Sequence, residues 1–399
     1  MPKKHLSSTE NRSAWIVFSV FLKLGLTSFG GPIAHLGYFR DEFVIRRKWI
    51  SEQNYADLVA LCQFLPGPAS SQVGIALGLL RAGYKGAFAA WVGFTLPSTL
   101  VLILFAFGFL HIGDIIPSGT LHGLKIAAVA VVAQAIWGMA KNLCTDTARI
   151  SIMTMAACLV LFIPSVFGQI SAILCAAFIG RFLCRSTSRL TEITPQTTLK
   201  PRSALFCLTL FVLLLIALPF AAIYSQSLAL FDTFFRIGSL VFGGGHVVLP
   251  LLQTEVVATN WVNQETFLAG YSLAQAIPGP LFTFAAFLGT TMNMEPNGWL
   301  GAIICLCAIF LPSFLLVIGT LPFWQHLRRN TDMQAALAGV NAAVVGLLLA
   351  AFYQPVWLSA VFNAKDFSLA LITFIALMFW KCPPWLAVIS CGGMGWLIS

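Results

Sequence analysis

Two copies of Pro-Gly-Pro, Pro66-Gly67-Pro68 and Pro278-Gly279-Pro280, stand in the middle of long apolar runs. Proline removes a backbone donor and clashes with the preceding turn, so neither run continues as one helix. Each break starts a new half-helix whose first N–H groups have no partner in the chain, which with the helix dipole makes an anion site. Ser70 and Ser71 follow one break and Thr283 the other, and Gln63 and Gln275 precede them by three residues. These side chains bring hydroxyl and amide donors suited to an oxyanion. Phe29-Gly30-Gly31-Pro32 and Phe242-Gly243-Gly244-Gly245 form a second pair of breaks, where glycine lets backbone come close to a ligand. Lys23 and Arg236 lie about two turns before these glycines. Lys125, and His246 beside the second glycine run, are further candidates. The competing readings are helix crossing at small residues and snorkelling of the cations to an interface. A matched lysine and arginine, each within an apolar run, favour an anion-facing role.

The elements that position such residues are membrane helices. Of 399 residues, 58% are hydrophobic and 9% charged, and the mean hydropathy is +0.87. Soluble domains carry about 25% charged residues, and the apolar runs are continuous where a β-barrel would alternate. The fold class expected is an all-α polytopic membrane protein. The net charge of +9 raises nucleic acid as a partner, but the cations fall in short loops between apolar runs, the positive-inside pattern. The bilayer, and not nucleic acid, is the partner expected. The ten cysteines form no CxxC, and Cys62, Cys158, Cys175, Cys207, Cys305 and Cys307 read as apolar packing residues. Scattered histidines give no metal site, and no cofactor is expected. The basic stretch Met1 to Ser13 leads into apolar sequence without a cleavage motif and reads as a cytoplasmic tail.

The chain repeats itself. Phe29 meets Phe242 at an offset of 213, Pro66 meets Pro278 at 212, and Leu96-Pro97-Ser98 meets Leu311-Pro312-Ser313 at 215. This drift is small enough for an internal duplication. The boundaries expected are a tail at 1–13, a first repeat at 14–184, a basic linker at 185–202, a connecting helix at 203–225 and a second repeat at 226–399. Arg46, Arg47, Lys48, Arg81 and Lys85 flank the first Pro-Gly-Pro run, whereas Glu255, Glu265 and Glu295 flank the second. The positive-inside rule then gives the repeats opposite orientation. Each Pro-Gly-Pro run has both flanks on one side, and splits into pieces of about fourteen residues where a span needs roughly twenty. Re-entrant hairpins follow, giving nine spans and four re-entrant segments; the alternative is thirteen full spans. Duplicated breaks in an inverted repeat mark the binding site of a secondary transporter.

The duplicated Phe-Gly-Gly, Gln-x-x-Pro-Gly-Pro and Leu-Pro-Ser motifs, from about Ala14 to Trp357, resemble the chromate ion transporter family in its long, two-domain bacterial form. Gly245, where the first copy has Pro32, departs from the symmetry. The resemblance implies a non-enzymatic carrier that exports chromate across the bacterial inner membrane and confers resistance to it, with sulfate as a competing analogue. Sulfate-type uptake and a membrane enzyme acting on phosphate-bearing lipid are the alternatives. The lipid enzyme lacks paired carboxylates or a histidine cluster in the apolar runs. Proton coupling, uniport and a homodimer all stay open.

Overall fold

The computed structural model describes residues 13–29, 31–112, 118–163, 166–184, 201–241, 248–257, 259–324, 331–358, 360–380, 382 and 384–398. These residues are helical, with no strand among them. The first half contains α1 (Ala14–Thr27), α2 (Gly31–Arg40), α3 (Glu52–Phe64), α4 (Ala69–Ile112), α5 (Ser118–Leu143), α6 (Thr147–Phe162) and α7 (Val166–Leu183). α8 (Pro201–Ala221) connects the halves. The second half contains α9 (Gln226–Leu240), α10 (Val248–Leu252), α11 (Gln264–Ala276), α12 (Phe284–Thr290), α13 (Gly298–Thr320), α14 (Thr331–Ala351), α15 (Ala364–Met378) and α16 (Pro384–Ile398). Four helical stretches are long and apolar enough to cross a membrane: 69–110, 201–221, 298–323 and 331–354. Two others expected as spans, α6 and α7, have only 16 and 18 residues. α8 hides only 11% of its apolar window and packs along one face against α9 and α13.

The two halves use the same local devices at matched positions. Ser13 caps α1 and Ser225 caps α9. Ser51 caps α3 and Asn263 caps α11. Asp146 caps α6 and Asn363 caps α15. In each case the side-chain oxygen accepts an otherwise unpaired N–H of the first turn. α2 and α10 each run on into a π-helical stretch, Asp41–Arg46 and Gln253–Val257. α3 and α11 are both 13 residues long, roughly 20 Å, and both stop at Pro-Gly-Pro. α4 breaks again at Ala82 and Gly83, so its first leg is about as short as α3.

Past the breaks the halves interlock. α5 packs against α15 and α16 of the second half, and α14 packs against α6 and α7 of the first. Glycines set the closeness: a Cβ on Gly339 would stand 2.8 Å from the Gly180 Cα, and one on Gly395 2.6 Å from the Gly123 Cα. Backbones this near can associate in a membrane by van der Waals packing alone. His122 of α5 hydrogen-bonds Asp366 of α15 (2.9 Å), and Arg181 of α7 pairs with Asp332 of α14 (2.7 Å). Cys62 and Cys305 are buried as packing residues, but Cys158, Cys175 and Cys307 lie on exposed helix faces, and all ten cysteines are free thiols. Of the packing role expected for those three, exposure leaves only apolar surface.

Candidate anion site at the crossed breaks

Each Pro-Gly-Pro break holds its glycine at positive φ, +120° at Gly67 and +108° at Gly279, a region side chains rarely adopt. The residue before each break is extended, and its N–H closes the preceding helix, Leu65 to Leu61 O (3.1 Å) and Ile277 to Leu273 O (3.2 Å). The glycine N–H groups then reach across the molecule. Gly67 N–H donates to Val241 O (2.5 Å), and Gly279 N–H donates to Ser28 O (3.0 Å). Val241 and Ser28 end α9 and α1, immediately before the two Phe-Gly-Gly runs. Each break is therefore bonded to the helix end that precedes the glycine run of the other half. The Leu-Pro-Ser motifs cross in the same way. A Cβ on Gly67 would stand 2.8 Å from Ser313 Oγ, and one on Gly279 2.8 Å from Ser98 Oγ.

Buried polar atoms gather around the first break. Ser28, Ser70, Ser71, Gln72 and Ser313 are all buried. Gln72 Nε2 donates to Pro66 O (2.6 Å). Among the described residues, Ser28 Oγ, Ser71 Oγ, Gln72 Oε1 and Ser313 Oγ have no hydrogen-bond partner. A buried polar group left unsatisfied costs about 1–3 kcal/mol, so these atoms would gain from a further partner. The second break is more closed: Thr283 is buried and its hydroxyl turns back onto Pro280 O (2.7 Å).

The remaining sequence candidates divide. Gly31 starts α2 at φ +77°. Gly30, Gly243, Gly244 and His246 lie outside the described residues. Pro66 and Pro278 are half-buried, while Pro68 and Pro280 are buried. Gln63 is exposed, and Gln275 donates to the Tyr271 hydroxyl (2.8 Å). Lys23 is exposed on α1. Arg236 is ion-paired with the buried Asp232 one turn earlier, and Lys125 with Glu265 (3.3 Å). An arginine held by a carboxylate offers less to an anion than the unpaired cation expected, and the i,i+4 spacing of Asp232 and Arg236 was the available signal. Ser28, Gln72, Ser98 and Ser313 were missed as site residues, although the Leu-Pro-Ser repeat itself was visible. His35, buried with Nε2 3.2 Å from Ser28 O and Nδ1 3.4 Å from Ser70 Oγ, gave no signal in the sequence.

Both ends of each broken hairpin also meet. Arg47 and Arg81, before and after the first, lie 5.8 and 4.9 Å from the centre of the Trp49 ring. In the second, Asn293 N–H donates to Trp261 O (2.8 Å) and its Nδ2 to Asn260 O (2.9 Å).

The chain is 29% identical over 352 residues to an uncharacterized transporter of Methanocaldococcus jannaschii, covering 86% of this chain and 85% of that one. It is 29% identical over 357 residues to a chromate transport protein of Pseudomonas aeruginosa, covering 83% and 78%. It is 26% identical over 339 residues to a chromate transport protein of Cupriavidus metallidurans, covering 83% and 80%. No solved structure matches. The chromate transporter family model matches residues 15–181 and 228–396, which frame the two sets of motifs, and the chain belongs to that family.

Proposed function

We propose that this protein is a secondary transporter that exports chromate from the cytoplasm across the inner membrane and so confers resistance to it. The observation that carries the reading is the crossed pair of hydrogen bonds, Gly67 to Val241 and Gly279 to Ser28. Those bonds join each Pro-Gly-Pro break to the helix end before the other half's glycine run, beside buried hydroxyls without a partner among the described residues. Family membership and the names of the Pseudomonas and Cupriavidus relatives support chromate as the substrate. A tetrahedral dianion suits hydroxyl donors and helix N-termini.

In this reading the halves 14–184 and 226–399 are inverted repeats, with the tail, the basic linker and the connecting helix as their joints. The matched caps and crossed contacts support that division. The Pro-Gly-Pro hairpins are re-entrant, supported by the meeting of Arg47 with Arg81 on one indole ring. Export needs little machinery beyond a path. The membrane potential is worth about 2.3 kcal/mol per charge per 100 mV, about 4.6 for a dianion, which alone sustains an outward gradient on the order of a thousandfold.

Everted membrane vesicles tell substrate and direction together. Labelled chromate should accumulate inside vesicles that carry the protein and not in those that lack it, with excess sulfate competing for the same site. Accumulation of sulfate but not chromate would transfer the assignment to sulfate.

A further inference from the structure

We infer that His35 is a proton-linked positioning residue that sets whether Ser70 can donate a hydrogen bond to the transported oxyanion. The inference rests on the proposed anion site and adds to it a proton taken up with the substrate.

The hydrogen-bond chemistry is constrained at both ring nitrogens. Nε2 faces Ser28 O, which as a carbonyl only accepts, so Nε2 carries a hydrogen. That same carbonyl accepts the Gly279 N–H from the other half. In the neutral ring Nδ1 is then a bare acceptor, and the Ser70 hydroxyl supplies the hydrogen between them. Ser70, the second residue after Pro68, thus spends its only hydrogen on the histidine. Its lone pairs are all it can show to an anion, which is itself only an acceptor.

One proton on Nδ1 reverses this bond. Nδ1–H donates to Ser70 Oγ, and the Ser70 hydrogen is released to turn toward the oxyanion. The site gains a donor and a positive charge in the same event, and no bond other than hydrogen bonds is broken. A buried imidazolium without a counter-charge is unfavourable, so the proton arrives with the anion and leaves with it, and one net negative charge then moves per anion where two would move without the proton.

The surroundings isolate the switch. Ring contact comes from Phe94, edge-on at 5.2 Å. α1 contributes the exposed Lys23, and α4 has no ionisable side chain from Ala69 to Leu80. The stretch Gly279 to Thr290 of the other half has none either. α3 contributes Tyr55, whose hydroxyl donates to Leu36 O (2.6 Å), the half-buried Asp57, the buried Cys62, and Glu52, which pairs with Arg40 of α2 itself. The aligned position of the other half carries no histidine. With the glycine runs 213 residues apart, the counterpart of His35 is Val248, which is buried but cannot titrate.

The test is the pH dependence of chromate accumulation in everted vesicles for wild type, His35→Gln, His35→Val and Ser70→Ala. Glutamine can still donate to Ser28 O, so this variant keeps the cross-half contact without the proton. In wild type the apparent affinity for chromate should strengthen as pH falls, by up to about tenfold per pH unit where one proton accompanies one anion. His35→Gln should lose that dependence relative to wild type and Ser70→Ala should reduce it, both while remaining in the membrane, and comparison of variants cancels the substrate's own protonation. His35→Val adds the residue of the other half and should be equally flat. A wild-type pH profile in His35→Gln or in Ser70→Ala overturns the inference and leaves the transport assignment standing. A wild type that moves no chromate at any pH overturns both.

Discussion

At the scale of single residues, charge and burial decide which cations are free. Sequence placed Lys23 and Arg236 at equivalent positions, but only the i,i+4 spacing of Asp232 distinguishes them, and it leaves Arg236 ion-paired. The loop arginines tell a related story. Arg46 and Arg47 bond the carboxylate of Glu42 at 3.2 and 2.5 Å. Burial of Glu42 opposes its ionisation, but the hydrogen bonds and charges of the two arginines outweigh it and hold the carboxyl below the usual glutamate range. A depressed value means stability present above the ordinary glutamate pKa and lost as pH falls through the lowered one. Glu42→Gln should therefore cost about 1 kcal/mol near neutral pH, read as a lower melting temperature in detergent. The gap to wild type should close under acid. A gap unchanged at low pH would show that shape, not charge, gives Glu42 its role.

At the scale of elements, much was legible. Proline and glycine punctuate apolar sequence for steric reasons that need no tertiary context, so the stops of α3 and α11 at Pro-Gly-Pro could be read in advance. The bounds of α8 lie within a few residues of the connecting helix expected at 203–225. The pairing of each break with the other half was not legible. It depends on which backbone carbonyl lies opposite Gly67, and no side-chain pattern records that. The breaks carry the functional expectation. Pro66-Gly67-Pro68 replaced by three alanines removes two prolines, each worth about 3 kcal/mol against helix, and lets α3 run toward α4. The variant should reach the membrane at near wild-type levels and lose chromate accumulation by more than tenfold. The same change at Pro278-Gly279-Pro280 should match it if both breaks line one site. Accumulation at wild-type rates in both variants would remove the breaks from the transport path.

At the scale of the whole molecule, the open expectation is orientation. If the first hairpin is re-entrant, Arg47→Cys and Arg81→Cys, each alone in a cysteine-depleted background, should both label from the cytoplasm. Asn263→Cys and Glu295→Cys should both label from the periplasm. Labelling of Arg47→Cys and Arg81→Cys from opposite faces would restore the thirteen-span arrangement. Loop charge made this expectation readable because lipid sorts lysine and arginine directly. The exchange of partners between the halves had no such trace, since glycine-lined helix contacts look alike whichever helix they meet.

That exchange has a consequence for how the protein is made. His122 waits for Asp366, 244 residues further along the chain. At about 5–20 residues per second of synthesis, α5 stands without its partners for roughly 10 to 50 s. During that interval its glycine-lined face is open to any other helix in the membrane. Biogenesis, more than the finished fold, is then where a substitution on that face such as Gly123→Leu does its first harm, as degraded nascent chain.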